Sequence, residues 1–175
     1  MNQVRRILIW LSRINHCRGF GVQSPTDYSI VRYVINEHWP YYQYATLGQN
    51  DHWLSRKLGR LYMRLANWRQ PEVIVTGAYN EYWQAGCRRA TLTKQIPQRV
   101  ELMHTDIDNA ANLMELLEGH TDNQTVVVVE RLWHNWEVWH KLAHDQRCTV
   151  TFNLYYCGLL MFDKKRTKQN YKINF

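Results

Sequence analysis

The feature that most constrains the fold is a short apolar run that ends in a glycine turn. The run Val73–Val75 follows Pro71, which ends a helical segment, and Gly77 stands two residues after the run. A segment of helical character begins at Tyr82. A buried strand, a turn with glycine and a helix form the unit from which α/β sheets are built, and ligands bind at such turns. This stretch, from Val73 to Glu81, therefore predicts the centre of an α/β fold.

Strands and helices alternate along the rest of the chain. Val126–Val129 is wholly apolar and β-branched, which is typical of a strand that is covered on both faces. The spacing of apolar residues predicts helices at residues 4–15, 25–36, 53–69, 82–93, 109–117 and 134–145, and strands at residues 73–75, 100–104, 126–129, 149–155, 158–162 and 171–175. This alternation predicts a parallel sheet that ends in an antiparallel hairpin.

The helix predicted for residues 53–69 has two distinct faces. Its apolar stripe consists of Leu54, Leu58, Leu61, Leu65 and Trp68. On another face Arg56, Arg60 and Arg64 recur every four residues. Further cations near the two ends of the chain are Arg5, Arg6, Arg13, Arg18, Lys164, Lys165, Arg166 and Lys168. Two interpretations stay open: a surface that follows the phosphates of a nucleic acid, with Tyr41, Tyr42 and Tyr44 as stacking partners, or solvated faces that keep a small domain soluble.

The composition is that of one globular domain rich in aromatic residues. The 175 residues are 45% hydrophobic, which is enough for a sizeable core. Eight tryptophans and eleven tyrosines favour a large aromatic core or surfaces that stack on bases. The 22 lysines and arginines exceed the 15 aspartates and glutamates, and the net charge of +7 favours acidic partners. Residues 1–50 are predicted to be a helical extension and residues 51–175 the α/β domain, together one compact unit.

The spacing of the cysteines and the hydropathy of the chain indicate the cellular compartment of the protein. The four cysteines are scattered and form no Cys-x-x-Cys pair, which predicts free buried thiols in a cytoplasmic protein. No stretch approaches the roughly 20 apolar residues of a membrane span. His140 and His144 lie one turn apart on a predicted helix, but a zinc site needs a third ligand, so no metal site is predicted.

Three longer stretches carry a resemblance to a known family. They are Gly21–Pro25 (Gly-Val-Gln-Ser-Pro, with Gln23 in place of histidine), Gly59–Trp68 (Gly-Arg-Leu-Tyr-Met-Arg-Leu-Ala-Asn-Trp) and Thr149–Phe162 (Thr-Val-Thr-Phe-Asn-Leu-Tyr-Tyr-Cys-Gly-Leu-Leu-Met-Phe). In this order they resemble a subgroup of the class I S-adenosylmethionine-dependent methyltransferases. The resemblance implies a three-layer Rossmann-like sheet of the methyltransferase type, with N-terminal helices, a C-terminal antiparallel hairpin and a cofactor site at the loop after Val75.

The glycine loop departs from the pattern of that family. There an acidic residue ends the first strand, and two glycines flank the loop. Here Val75 stands in place of the acid, Gly77 is kept, and Glu81 replaces the second glycine. A carboxylate at position 81 would face the carboxylate of the cofactor. We therefore expect Tyr79, Glu81 or Tyr82 to occupy the former cofactor space.

A second departure from the family is a deletion. The strand that ends before Asp106 matches either the second or the fourth strand of the family, and the following helix and the Val126–Val129 strand favour the fourth. In that alignment the second and third strand–helix units are missing, and the sheet is shortened at one edge. The carboxylate that would bind the ribose hydroxyls of the cofactor is lost with them.

A few acidic and aromatic residues remain as site candidates. Asp106 and Glu130 end adjacent predicted strands, where they form a residual acidic pocket or cap the helices that follow. The vestigial cofactor-binding candidates are Thr76, Gly77, Ala78, Tyr79, Glu81, Asp106 and Glu130. Trp133, Trp136 and Trp139 could cage a ligand, although the last two fit the buried stripe of their helix. No catalytic residue is assigned.

The sequence therefore predicts a methyltransferase-like pseudoenzyme that has lost productive binding of S-adenosylmethionine. Its expected role is that of a non-catalytic binding or scaffold protein, with no cofactor. The expected partner is another protein or a second copy that pairs across the shortened sheet edge; no membrane partner is expected. Two alternatives stay open: an active S-adenosylmethionine-dependent methyltransferase with a reorganised cofactor site, and a nucleic-acid-binding module that uses Arg56, Arg60 and Arg64.

Overall fold

A computed structural model describes residues 3–175 as an α/β protein with one seven-stranded sheet. The strands are β1 (Val73–Val75), β2 (Thr91–Thr93), β3 (Leu102–Asp106), β4 (Val126–Glu130), β5 (Val150–Asn153), β6 (Cys157–Met161) and β7 (Gln169–Lys172). Their order in the sheet is β2-β1-β3-β4-β6-β5-β7. β6 is antiparallel to both of its neighbours, and all other neighbouring strands are parallel. The predicted α/β class, the mostly parallel sheet and the hairpin of β5 and β6 are confirmed.

Residues 3–175 contain six α-helices. They are α1 (Gln3–Leu11), α2 (Pro25–Ile30), α3 (Trp53–Arg69), α4 (Asn80–Gly86), α5 (Leu113–Leu116) and α6 (Trp136–His144). A π-helical turn, Val31–Ile35, continues α2 to the predicted end near Asn36. Ser24 caps α2 as predicted, because its hydroxyl accepts a hydrogen bond from the Asp27 N–H at 3.3 Å and Pro25 stands at the first helical position.

The sheet separates two apolar cores. Val126 and Val128 of β4 belong to one core, and Val127 and Val129 to the other, because successive side chains of a strand point to opposite faces. α2, α3 and α4 cover the first face, and α5 and α6 cover the second. All four valines are buried, which explains the continuous apolar run at this position.

α3 and α4 form the closely packed part of the first layer. α3 has the predicted bounds, and Leu58, Leu61 and Leu65 of its apolar stripe are buried. A Cβ atom on Gly86 of α4 would lie 2.1 Å from the Met63 carbonyl oxygen, so only glycine allows this approach of the two backbones. The other end of the stripe differs from the prediction. Trp68 lies in the last turn of α3 and is exposed.

The chain departs from the predicted helix of residues 82–93. α4 ends at Gly86, and Thr91–Thr93 forms β2, parallel to β1. Two β-branched threonines flank Leu92 in a pattern of period two, which favours a strand over a helix. One short strand therefore lies on the side of β1 opposite β3. The sequence predicts that the second and third strand–helix units of the family are both missing there. β2 is the edge of the sheet on that side.

The N-terminal segment is attached to the sheet through Arg13. This side chain is buried and donates hydrogen bonds to the carbonyl oxygens of Asn153 (2.8 Å) and Ile173 (3.0 Å). α1 itself has no buried residue. No helix within residues 3–175 is long and apolar enough to cross a bilayer.

Candidate functional site

Polar side chains meet in a cavity at the carboxyl ends of β1, β3 and β4. The cavity has a volume of about 400 Å³ and lies where parallel α/β sheets bind their ligands. Five of the predicted candidates line it, namely Thr76, Gly77, Ala78, Asp106 and Glu130. The other lining residues are Val75, Lys94, Met103, His104, Thr105 and Asn109. We call this space the Gly77 cavity.

The space above Gly77 is open, which differs from the expectation that an aromatic or acidic residue fills it. A Cβ atom on Gly77 would meet no other atom within 4 Å. Tyr79, Glu81 and Tyr82 do not line the cavity. Glu81 is exposed on α4, and the Tyr82 hydroxyl donates to the Asp51 carboxylate at 2.7 Å. Neither side chain therefore fills the space above Gly77.

Glu130 is the centre of a hydrogen-bond network at one wall of the cavity. One of its carboxylate oxygens, Oε2, lies 2.8 Å from His104 Nε2, and the other, Oε1, accepts from the Tyr79 hydroxyl at 2.8 Å. His104 Nδ1 lies 3.5 Å from the Thr76 hydroxyl, which itself donates to the Ala78 carbonyl oxygen at 2.8 Å. Both oxygens of Glu130 and both ring nitrogens of His104 thus have protein partners.

Tyr79 reaches Glu130 from an uncommon backbone conformation. Its φ of 59° lies in the left-handed region, which costs on the order of 1 kcal/mol for a residue other than glycine. Burial raises the pKa of the Tyr79 phenol, and the charge of Glu130 raises it further. The same two causes raise the pKa of Tyr62, whose ring stacks on Trp83 at a centroid distance of 4.8 Å. Both phenols therefore stay protonated at neutral pH and do not act as bases, and the Tyr79 hydroxyl donates to Glu130.

Asp106 ends β3 in register with Glu130 of β4 and has a cation as its partner. Arg131 forms an ion pair with Asp106 and a second one with Asp108 at 2.8 Å. Burial alone would raise the pKa of Asp106, but the hydrogen bonds from Arg131 and from the Asp108 backbone N–H lower it. Asp106 also caps the short helical turn that follows it, because its Oδ1 accepts from the Asp108 N–H at 3.0 Å. It therefore serves both as cavity wall and as helix cap.

Sequence reasoning missed the two basic residues of this cavity, His104 and Lys94. His104 precedes Asp106 by two positions on β3, so the two side chains point to the same side of the strand. That spacing was a signal for a shared site. Lys94 follows β2 directly and was hidden by the helix predicted over residues 82–93. It brings a positive charge to the wall where the family resemblance implied a carboxylate.

The predicted arginine stripe makes structural contacts. Arg56 donates to three backbone carbonyl oxygens, those of Gly48, Gln49 and Asp51. Arg64 is 6% exposed and donates to the carbonyl oxygens of residues 34 and 35 and to the Tyr44 hydroxyl. The Arg60 guanidinium lies 4.5 Å above the Tyr44 ring. The three side chains thus hold the segment between α2 and α3 against α3.

The histidine and tryptophan candidates lie outside the Gly77 cavity. The rings of His140 and His144 are 6.2 Å apart, and the described part of the chain has no group of three histidine, cysteine or acidic residues placed for a metal ion. Trp139 is buried in the second core, whereas Trp133 stacks on Tyr155 at 6.2 Å. The three tryptophans therefore do not form one cage.

The four cysteines are free, as predicted, and three of them are buried. Burial raises the pKa of the Cys148 thiol to about 11, and burial together with Glu130 raises that of Cys157. These thiols are therefore protonated and unreactive at neutral pH.

Comparison of the chain with protein-family models, with curated proteins and with solved structures returned no match.

Proposed function

We propose that this chain is a methyltransferase-like α/β protein that does not bind S-adenosylmethionine productively and that acts as a non-catalytic binding or scaffold protein. The strand order supports the likeness, because parallel strands around β1 are followed by β6, which lies antiparallel between β4 and β5. This is the layout that the resemblance implied. The side chains of the Gly77 cavity support the loss of cofactor binding.

The observation that carries the proposal is that the acidic groups of the cavity are already bonded within the protein. S-adenosylmethionine carries an ammonium group and ribose hydroxyls, which donate hydrogen bonds to free acceptors, and a sulfonium group, which nearby positive charge repels. Both oxygens of Glu130 are bonded to His104 and Tyr79, and Asp106 is bonded to Arg131. Val75 offers no acid at the end of β1, and Lys94 would repel a cation. Binding of the cofactor would require these hydrogen bonds and ion pairs to be broken. The free-energy cost of binding would therefore be higher than in a cavity whose acceptors are free.

The same network argues against a catalytic role. A general base needs a free acceptor near the proton that it removes. His104 already has partners at both nitrogens, and Tyr62 and Tyr79 are held protonated. No side chain of the cavity is therefore assigned as an acid, a base or a nucleophile.

Calorimetric titration of the full-length protein with S-adenosylmethionine and with S-adenosylhomocysteine tests this proposal. We expect no saturable heat with either compound. Micromolar binding that is abolished by Gly77→Trp would overturn the proposal and support the alternative, an active methyltransferase with a reorganised cofactor site. Gly77→Trp fills the cavity from a position without close neighbours, so it changes the site with little effect on the core.

A second copy of the chain is the partner that we propose for the scaffold role. β2 is a short edge strand with one side unpaired within the sheet. Edge strands offer backbone N–H and C=O groups that pair readily with another strand. Pairing of β2 with β2 of a second copy would extend the sheet across a two-fold axis.

A further inference from the structure

A second, larger concave region lies between α1, the first half of α3 and the C-terminal residues. It consists of two adjoining cavities of about 500 and about 820 Å³, which share Trp10, Trp53, Lys57, Asn174 and Phe175 as lining residues. None of these residues lines the Gly77 cavity. We call this region the α1–α3 cleft.

Positive charge is concentrated in the α1–α3 cleft without matching acids. Arg6 of α1, Arg18 of the next turn, and Arg56, Lys57 and Arg60 of α3 line it. Within residues 3–175 none of these five side chains has a carboxylate within 4.0 Å. The acidic lining residue Glu37 points one carboxylate oxygen at the backbone N–H groups of the next two residues. Cations gathered in this way favour an anionic ligand.

Lys57 is the cation with the least compensation. Its ammonium has no hydrogen-bond or ion-pair partner in the described part of the chain, and it lies 4.3 Å from the centre of the Phe175 ring. Burial, together with the nearby charges of Arg64 and Arg6, lowers the pKa of Lys57 to about 8. A half-buried ammonium that is repelled by the charges of two arginines is unfavourable, and a bound anion would offset this repulsion.

Aromatic rings stand directly beside these cations. The Arg6 guanidinium lies 3.4 Å above the Trp53 ring, and Lys57 Nζ lies 5.7 Å from the same ring. Trp10 is 47% exposed and Trp39 is 73% exposed, although both line the cleft. Exposed tryptophan faces beside cations are the arrangement with which proteins stack bases and hold the backbone of single strands.

We propose that the α1–α3 cleft binds a nucleotide unit, with the phosphate at Lys57 and Arg6 and the base on a tryptophan face. The unit can belong to a free nucleotide or to a single-stranded nucleic acid, because both present the same phosphate and ring. The volume of the two cavities exceeds the space of one small ligand, which favours a strand. This inference names the ligand of the proposed binding role. It does not depend on the state of the Gly77 cavity.

Fluorescence anisotropy of a labelled single-stranded RNA of about 12 nucleotides tests the proposal with the full-length protein. We expect saturable binding whose affinity falls steeply between about 50 and 200 mM salt, because phosphate contacts release counterions. Unlabelled AMP, inorganic phosphate and heparin serve as competitors. Competition by AMP with a dissociation constant similar to that of the RNA identifies a free nucleotide as the ligand, whereas weak competition by AMP identifies the strand.

Charge-neutral variants decide where the RNA binds. We expect Lys57→Met and Arg6→Gln each to weaken binding about tenfold or more, since each removes a charge-assisted contact. The matched control is Lys164→Gln with Lys165→Gln, which removes two exposed cations outside the cleft and should change the affinity less than about twofold. Circular dichroism establishes that each variant is folded. A Trp39→Ala variant, at an exposed position, tests the stacking surface separately.

Three results would overturn the inference. One is the absence of saturable RNA binding at about 50 mM salt. Another is an equal loss of affinity in the cleft variants and in the Lys164/Lys165 control, which would indicate binding to the overall positive charge. The third is that heparin or phosphate competes as well as RNA while Trp39→Ala has no effect, which would indicate an anion site without base recognition. Binding of S-adenosylmethionine that is abolished by Gly77→Trp would contradict the proposed function and leave this inference standing.

Discussion

Lys57 illustrates at the residue scale how a binding group lowers the stability of the free protein. Its pKa is about 8 in the folded chain and near 10.5 when exposed, so the unfolded state binds more protons between these values. The free energy of unfolding therefore rises as the pH increases from about 8 to 10.5 and is lower at neutral pH. Neutralising this one side chain should stabilise the protein while weakening the ligand site.

We expect Lys57→Met to raise the free energy of unfolding at about pH 7 by on the order of 2 kcal/mol, because one pKa unit corresponds to about 1.4 kcal/mol. Urea denaturation of the wild type and the variant at neutral pH and at about pH 9.5 checks this. The gain should shrink at the higher pH, where Lys57 is largely neutral in the folded protein. Lys164→Met, an exposed matched control, should change stability by less than about 0.5 kcal/mol. A Lys57→Met variant that is less stable than the wild type at pH 7 would contradict the prediction.

At the scale of elements, the contact between α3 and α4 positions the loop of the Gly77 cavity. Gly86 allows the end of α4 to approach the backbone of α3, and Gly59 of α3 leaves room for the Tyr82 ring near the start of α4. The loop itself is less constrained, since Gly77 has open space above it. Two glycines nine residues apart thus have opposite tolerance for a side chain.

We expect Gly86→Ala to destabilise the protein by about 2 kcal/mol, because the added Cβ would overlap the Met63 carbonyl oxygen and force the helices apart. Gly77→Ala should change stability by less than about 0.5 kcal/mol, and it serves as the matched control. Urea denaturation at constant pH measures both. Equal changes in the free energy of unfolding for the two substitutions would show that the α3–α4 contact does not limit which side chain is tolerated at position 86.

At the scale of the whole molecule, the edge strand β2 governs the predicted assembly. The Thr91 N–H donates to the carbonyl oxygen of Glu72, the residue before β1, at 2.8 Å. Because successive N–H groups of a strand point to opposite sides, the N–H of Leu92 points away from β1. The outward N–H of Leu92 is therefore available to a second copy. The N–H group of β2 that would pair with a second copy is therefore different from the N–H group that pairs within the sheet.

We expect the protein to form a dimer and Leu92→Pro to convert it into a monomer, because proline removes the outward N–H and leaves the two flanking threonines to pair with β1. Light scattering coupled to gel filtration measures the mass of each. The matched control is Leu92→Ala, which keeps the outward N–H and should remain dimeric. Thr149→Pro is not a suitable control, because it would disturb the start of an internal strand. A monomeric wild type at micromolar concentration would contradict the proposed dimer.

Several features of the fold could be predicted from the sequence because they depend on neighbouring residues. The bounds of α3 follow from its apolar spacing, and the start of α2 follows from the Ser24 cap and Pro25. The run Val126–Val129 predicts a strand with both faces buried, since each face needs its own apolar side chains. Periodicity, capping and turn chemistry act within a few positions, so they can be recognised without the fold.

Other features were decided only by the tertiary structure. β2 has only three residues, so its alternation did not outweigh the helix predicted over residues 82–93, and the strand forms by pairing with β1. The Gly77 loop showed the expected glycine, but whether its cavity is open depended on the directions of Tyr79 and Tyr82, which Glu130 and Asp51 determine. Arg6 and Lys57 are distant in sequence and meet at one ring, that of Trp53. Such contacts join distant parts of the chain, and no local pattern determines which side chains will meet.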